Sequence, residues 1–302
     1  MKIVITGATG FVGSRLTENL KQEGHSAVAL TRNASSARLK APALDAAYDW
    51  DPLSQIPSAE AFTGADAVVH LAGETVVGRW TAAKQAAIRD SRVLGTRNLV
   101  TGLGKLTGKP PVLVAASAIG FYGDRGEEEL TESSASGDDF LAGVCRAWEA
   151  ESAKAGALGI AVARLRTGIV LGAGGGALDA MLTPFKLGAG GPLGSGRQWW
   201  SWIHLDDLCG LMRHLIERKQ AGVFNATAPS PLRQKDFAKA LGRVLRRPAF
   251  MPAPAFALKI VLGGFASELL SSKRVLPEAT QAAAFEYRFS DLEAALRQAL
   301  GR

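Results

Sequence analysis

The residues whose spacing could do chemistry begin at Thr6. Thr6-Gly7-Ala8-Thr9-Gly10-Phe11-Val12-Gly13 is a G-x-x-G-x-x-G run. Gly7 would let the chain turn sharply out of a strand. Gly10 would let a pyrophosphate reach the backbone, and Gly13 would let the next helix pack close to the sheet. Free N–H groups at the start of that helix, together with its dipole, favour phosphate. Three glycines alone are weak evidence. These three follow a β-rich run, Lys2 to Thr6, and open a stretch with Val12, Leu16 and Leu20 at helical spacing. A second apolar run, Ser26 to Thr31, completes a β-α-β unit. That context makes the run a dinucleotide turn, with Thr6, Gly7, Thr9, Gly10, Phe11, Val12 and Gly13 as its expected contacts.

The end of the second strand selects the nucleotide. An acidic residue there would accept from a free ribose diol, but the chain reads Leu30-Thr31-Arg32-Asn33. A guanidinium cannot accept those hydrogen bonds and suits a 2′-phosphate, so NADP(H) is favoured over NAD(H). Arg38 and Lys40 are further cations within reach. Asp51, after Trp50, is expected to meet the adenine amine. Leu71-Ala72-Gly73 would let the dinucleotide cross the sheet edge.

Elements must position these groups. Short strands are predicted at 46–50, 65–72, 111–116 and 158–166. Long helices are predicted at 81–106 and 138–155. Strands separated by helices of this length argue for a parallel sheet covered on both faces. Beyond residue 166 the texture loosens into a glycine-rich stretch, 172–196. Helices are predicted near 178–187, 206–219, 233–245, 255–270 and 291–300, and strands at 202–205 and 223–226. The predicted class is α/β: a Rossmann-like doubly wound parallel sheet over 1–166 and a smaller C-terminal α/β substrate lobe over 167–302. The first unit is allowed to recruit segments near 203–226. The lobe includes a C-terminal module at about 250–299.

The chain resembles the extended short-chain dehydrogenase/reductase superfamily, in its sugar-nucleotide epimerase/dehydratase group. The resemblance rests on T6-G-A-T-G-F-V-G13, H70-L-A-G73, V93-L-G-T-R-N-L-V100, A116-S-A-I-G-F-Y-G123, R166-T-G-I-V-L-G172 and W202-I-H-L-D-D207. More narrowly it resembles an atypical subgroup called epimerase family proteins. There the resemblance rests on Y48-D-W-D-P52, I88-R-D-S-R92, F140-L-A-G-V-C-R-A-W-E149, the Trp199/Trp200/Trp202 cluster, S271-S-K-R-V-L-P277 and F285-E-Y-R-F289. It implies a Tyr and, four positions on, a Lys that lowers the Tyr pKa and holds the nicotinamide ribose. The corresponding segment is Asp139-Phe140-Leu141-Ala142-Gly143-Val144-Cys145, with neither residue. Leu141 and Cys145 fit their places best, and an alignment on Phe140 and Val144 fails equally. An unassisted phenol is a poor base at neutral pH, and an alkyl chain is none. Standard Tyr/Lys chemistry is therefore disfavoured. The superfamily also commonly pairs through two helices, here 81–106 and 138–155, so a homodimer stays open.

Other candidates fill the reaction end. Ser117 ends a strand where the superfamily places a hydroxyl for the substrate oxygen or the nicotinamide. Tyr122 would supply a proton or wall the pocket. Asn98 reads as structural. Glu74, Arg166, Trp199, Trp200 and His204 are the expected substrate-pocket residues, and Cys145 reads as a buried helix thiol. Four scattered histidines carry no metal-ligand spacing.

Composition bounds the rest. The 302 residues are 47% hydrophobic and include 34 glycines. No run reaches the length of a membrane span, and no signal-peptide pattern opens the chain. Two cysteines fit a reducing, cytoplasmic setting. Of the net +7, residues 233–302 hold 12 Lys/Arg against 6 Asp/Glu. That is not a uniformly basic nucleic-acid surface, and no recognition motif accompanies it. The expected partner is a small molecule, without nucleic acid or membrane. Three readings follow: an NADP(H)-dependent oxidoreductase on a small carbonyl or alcohol, a non-catalytic NADP(H)-binding sensor or partner-binding protein, and a sugar-nucleotide epimerase/dehydratase with non-standard acid/base residues.

Overall fold

The computed structural model describes residues 1–302. The N-terminal half alternates strand and helix: β1 (Lys2–Thr6), α1 (Phe11–Gln22), β2 (Ser26–Thr31), α2 (Ala34–Lys40), β3 (Ala46–Asp49), β4 (Ala67–His70), α3 (Ala82–Gly104), β5 (Val112–Ala118), β6 (Glu129–Leu130), α4 (Phe140–Ala153) and β7 (Ala161–Thr167). The rest runs β8 (Ile169–Leu171), α5 (Gly176–Lys186), β9 (Trp199–Trp200), β10 (Trp202–His204), α6 (Leu205–Glu217), β11 (Gly222–Ala226), β12 (Leu232–Arg233), α7 (Gln234–Leu245), α8 (Ala255–Leu262), α9 (Phe265–Leu270), β13 (Arg274–Val275), α10 (Glu278–Ala282) and α11 (Leu292–Ala299).

Seven strands form one parallel sheet in the order β11-β7-β5-β4-β1-β2-β3. Alternation splits each strand between two cores. Ile3, Ile5, Ala29, Val69, Val114 and Leu165 meet Leu16 and Leu20 of α1 and Leu208, Leu211 and Leu215 of α6. Val4, Val28, Leu30, Val68 and Leu113 meet Leu99 and Leu103 of α3, with Trp50 and Phe62. Burial on both faces is why these strands read as continuous apolar runs. Although α6 and β11 lie beyond residue 166, both build onto this sheet.

The smaller lobe has its own core. Trp200 and Trp202 share it with Phe237 and Leu241 of α7 and Leu292 and Leu296 of α11. Its strands are two- and three-residue pieces: β8 with β10, β9 with β12, and β13 with β6. The long helix predicted over 255–270 is broken at Gly263-Gly264 into α8 and α9. No helix is long and apolar enough to cross a membrane.

Candidate functional site

The C-terminal ends of β1, β2 and β4 open into a cleft of about 400 Å³. Gly7, Thr9, Gly10, Arg32, Asp51, Leu71, Ala72, Gly73 and Glu74 all line it. Gly7 has φ +71°, and a Cβ there would stand 3.1 Å from the Ala72 nitrogen. At Gly13 a Cβ would be 2.2 Å from the Gly7 carbonyl oxygen, so the helix can approach the turn only with glycine. Gly10 is the N-cap of α1, and no side chain accepts from the first-turn N–H groups. No acidic residue occupies that turn either. These donors and the positive end of the helix dipole face the cleft, which is the provision a pyrophosphate needs. Phe11 packs away from the turn, against the backbone of Gly172, Gly175 and Gly176.

Beneath the turn is a buried clasp. The Thr6 hydroxyl accepts the Leu71 and Ala72 amides at 3.1 and 3.0 Å and lies 2.7 Å from His70 Nδ1. With its acceptor capacity used, the hydroxyl donates to Nδ1, which leaves the proton of the neutral ring on Nε2. Nε2 then donates to Thr96 at 2.9 Å. Burial pushes the His70 pKa down to about 4, so the ring is neutral at pH 7. The clasp ties β1, β4 and α3 together and fixes the Leu71-Ala72-Gly73 edge. Thr6 therefore shapes the site from below, through its side chain.

At the adenosine end, Arg32 is exposed and lines the cleft. Asn33 beside it turns away to cap α2, accepting the Ser36 amide at 2.7 Å. Asp51 accepts from the Ser54 hydroxyl at 2.6 Å and the Leu53 amide at 3.1 Å. The Ser54 hydrogen bond, then the Leu53 amide, hold its carboxyl below the usual range. Asn98 of α3 donates to the Pro52 carbonyl at 2.9 Å, which pins the Asp51-Pro52 turn against that helix. Glu74 pairs with Lys84 at 2.6 Å.

The reaction end differs from expectation. Strand pairing aligns Ser117 of β5 with Arg166 of β7, and Arg166 with Asn225 of β11. All three are buried. Arg166 donates to both Glu149 oxygens at 2.9 and 3.0 Å, and Ser117 donates to the same carboxylate at 2.7 Å. Arg166 also donates to the Tyr122 oxygen at 3.1 Å, and that hydroxyl donates to Asn225 at 2.7 Å. The guanidinium lies over the Phe121 ring, 3.4 Å from its centroid. Arg166, expected in the pocket, is thus spent on a buried ion pair. Tyr122 is fully buried with both hydrogen-bonding roles filled, and burial pushes its phenol pKa up against the opposing charge of Arg166. Ser117 likewise points at Glu149 and is buried, with its proton already donated.

Three more residues expected in the substrate pocket do not line this cleft. Trp200 is buried on Phe237, with ring centroids 5.3 Å apart. Trp199 carries the guanidiniums of Arg233 and Arg274 over its ring, 4.1 and 4.6 Å from the centroid, and donates to Glu127 at 3.0 Å. His204 caps α6, accepts the Asp206 amide at 3.1 Å and lies 2.7 Å from Gln298. These three build inter-lobe and lobe structure; of the five expected in the pocket, Glu74 alone lines the cleft.

Glu149 fixes the rotation of α4. Leu141, Cys145 and Glu149 are four apart and share one face. With Glu149 tied to Arg166 at the strand ends, Leu141 and Cys145 are set beside Gly120, 3.4 and 4.0 Å from a Cβ built there. The two positions that best match the resemblance's Tyr/Lys pair are thus an alkyl chain and a buried thiol. Burial pushes the Cys145 pKa up to about 12.

The sequence pattern did not single out Asn225 or Glu149 as site residues, and Arg92 stood only within a stretch that carries the resemblance. Arg92 donates to the Glu74 and Ile88 carbonyls at 2.9 and 3.1 Å and lies over Trp148. It forms no carboxylate pair, and its guanidinium covers Gly73, where a Cβ would sit 3.3 Å from it. Burial pushes its pKa below the guanidinium norm. The I88-R-D-S-R92 stretch was its only signal in the sequence. No group of three or more His, Cys, Asp or Glu is gathered to hold a metal.

Known proteins resemble this one over nearly the whole chain. Residues 3–227 match the model of the NAD dependent epimerase/dehydratase family, and residues 253–299 match a domain of unknown function, DUF1731. The chloroplastic SDR39U1 homolog of Arabidopsis thaliana, an epimerase family protein, is 40% identical, over 98% of this chain and 86% of its own. Epimerase family protein YfhF of Bacillus subtilis is 38% identical, over 99% and 97%. The crystal structure of human epimerase family protein SDR39U1 with NADPH superposes with a TM-score of 0.88 at 33% identity, covering 100% of both chains. The chain belongs to the NAD dependent epimerase/dehydratase family, with a distinct C-terminal DUF1731 module.

Proposed function

We propose that this protein binds NADP(H) and acts as an oxidoreductase on a small carbonyl or alcohol, without the Tyr/Lys pair of its superfamily. The observation that carries the cofactor reading is Arg32, an exposed cation lining the cleft where an acid would serve a free ribose. The human relative crystallised with NADPH supports it. The Gly7–Gly10 turn and the uncapped end of α1 would hold the pyrophosphate, Arg32 the 2′-phosphate and Asp51 the adenine amine. Leu71, Ala72 and Gly73 would form the edge the dinucleotide crosses, with Arg92 behind Gly73. The bound dinucleotide would supply hydride. Neither Leu141, an alkyl chain, nor Cys145, a buried thiol pushed up to about 12, could give the proton that carbonyl reduction needs alongside the hydride, so water would supply it.

A second reading, a sensor without turnover, is favoured by one observation: Tyr122 and Ser117 are already committed to the Glu149–Arg166 network. The test is NADPH consumption against a panel of small aldehydes, ketones and their alcohols. Substrate-dependent oxidation of NADPH establishes the enzyme. Tight NADPH binding with no turnover across the panel overturns it in favour of the sensor.

A further inference from the structure

One face of the molecule is unpartnered in a way the cofactor cleft does not explain. Helix α8 buries none of its eight residues. Phe256, Ile260 and Val261 are 69%, 72% and 71% exposed. Soluble proteins rarely leave a contiguous apolar face of this kind without a use. Phe256, Lys259 and Ile260 are spaced i, i+3, i+4, so they form one outward stripe with a cation in it.

The segment that leads into α8 is basic. Four residues, Met251 to Pro254, connect α8 to a shallow bowl formed by Lys239, Arg243, Arg246, Arg247 and Phe250. Phe250 is 75% exposed at its rim. Of the bowl's cations, Arg243 pairs with Glu293 and Lys239 with Asp236. Arg246 and Arg247, like Lys259 on α8, form no ion pair within the chain. Most of the net positive charge of the protein falls in this same C-terminal region. Ala253 clips the connection onto the chain between Pro192 and Gly194 through hydrogen bonds of 2.8 Å, so bowl and helix are held in fixed relation.

A protruding apolar stripe that carries one unpaired cation, and that a four-residue connection joins to a basic bowl, has a specific complement. A second copy of the chain would bring Arg246, Arg247 and Lys259 against their own like charges. A protein partner would need a deep apolar groove to receive a stripe that stands out from the surface. A fluid anionic surface needs neither: apolar side chains enter the acyl boundary while cations meet the headgroup phosphates. We infer that α8 and the Arg246–Arg247 bowl form a docking surface for an anionic lipid bilayer, with α8 lying in the interface plane. This is peripheral contact, distinct from spanning.

The test is co-sedimentation of the full chain with vesicles of phosphatidylcholine alone and with about one-third phosphatidylglycerol, at low salt and at ~0.5 M salt. The wild type is expected to pellet only with the anionic vesicles and to be released by salt. Each cation near the surface contributes roughly fivefold in affinity, so Arg246→Glu with Arg247→Glu should cost more than about twenty-five-fold. Phe256→Ser with Ile260→Ser should cost at least about tenfold through lost apolar burial. Both variants should keep the wild-type NADPH titration, which shows that the fold persists. Failure to pellet with anionic vesicles, or pelleting that neither variant changes, overturns the inference. A concentration-dependent dimer that Phe256→Ser with Ile260→Ser dissolves, in a protein that ignores vesicles, would overturn it too and assign the face to a second copy.

Discussion

The Glu149→Gln substitution should be among the most damaging conservative changes in the protein. Glu149 and Arg166 are 6% and 4% exposed and joined by two hydrogen bonds, at 2.9 and 3.0 Å. The amide that replaces the carboxylate could still accept one hydrogen bond, but the guanidinium would be left buried without its counter-charge. Breaking a buried pair by removing one partner costs about 3–5 kcal/mol. For a chain of this length that corresponds to roughly 5–8 °C in Tm. Arg213 and Glu23, paired at the surface with 37% of each side chain exposed, supply the control. Arg213→Ala should cost less than about 1 kcal/mol. Glu149→Leu with Arg166→Met should be less harmful than either single change, because no charge is stranded. It would still leave Ser117 and Tyr122 short of a partner, at about 1 kcal/mol each. Differential scanning calorimetry of these variants decides the matter. A Glu149→Gln protein melting within about 1 °C of wild type would refute the reasoning. So would a double variant worse than both singles, since the pair would then not be what fixes α4.

Three further outcomes follow from the same geometry. Cys145, buried and pushed up to about 12, should resist iodoacetamide at pH 8 in the folded protein and react only on unfolding, read by mass spectrometry; rapid labelling would mean that α4 is turned otherwise. His70 is neutral when folded and its pKa is held near 4, so the unfolded chain takes up the extra proton. Stability should therefore fall as pH drops below about 6.5, by about 2 kcal/mol at pH 5, and His70→Gln should flatten that slope in melting experiments. Gly13→Ala places a Cβ 2.2 Å from the Gly7 oxygen and should lower Tm and NADPH affinity together; a variant with unchanged affinity would show that the turn is not the phosphate site.

What was legible in the sequence was what is local. The strand, glycine turn and helix from Lys2 to Gln22 are contiguous, and each glycine has a steric reason read directly from its neighbours. The cleft edge at Leu71-Ala72-Gly73 and the acidic turn at Asp51 also follow from strand ends. The reaction end was not legible for a physical reason. Ser117, Arg166 and Asn225 meet only because three parallel strands adopt one register, and Glu149 reaches them from a helix. A polar residue at a strand end looks the same in the sequence whether it faces a substrate or a buried carboxylate. The same ambiguity sent Trp200 and His204 to the pocket, when long-range packing on Phe237 and Gln298 holds them in the small lobe. The two-residue strands β6, β9, β12 and β13 carry no periodicity and exist only through their partners. The absence of the Tyr/Lys pair was visible only because the resemblance says where to look, at residues 139–145. What the fold adds is the Glu149 anchor that fixes Leu141 and Cys145 in its place.

The central claim is that Arg32 makes this an NADP(H) cleft. Its most direct test is fluorescence titration of the wild type and Arg32→Ala with NADPH and with NADH. A guanidinium on a 2′-phosphate contributes about 1.5–3 kcal/mol, so the wild type should prefer NADPH by roughly 10- to 150-fold. Arg32→Ala should lose that preference while NADH binding stays within about twofold. Equal losses for the two nucleotides, or a wild type that binds NADH as tightly as NADPH, would contradict it.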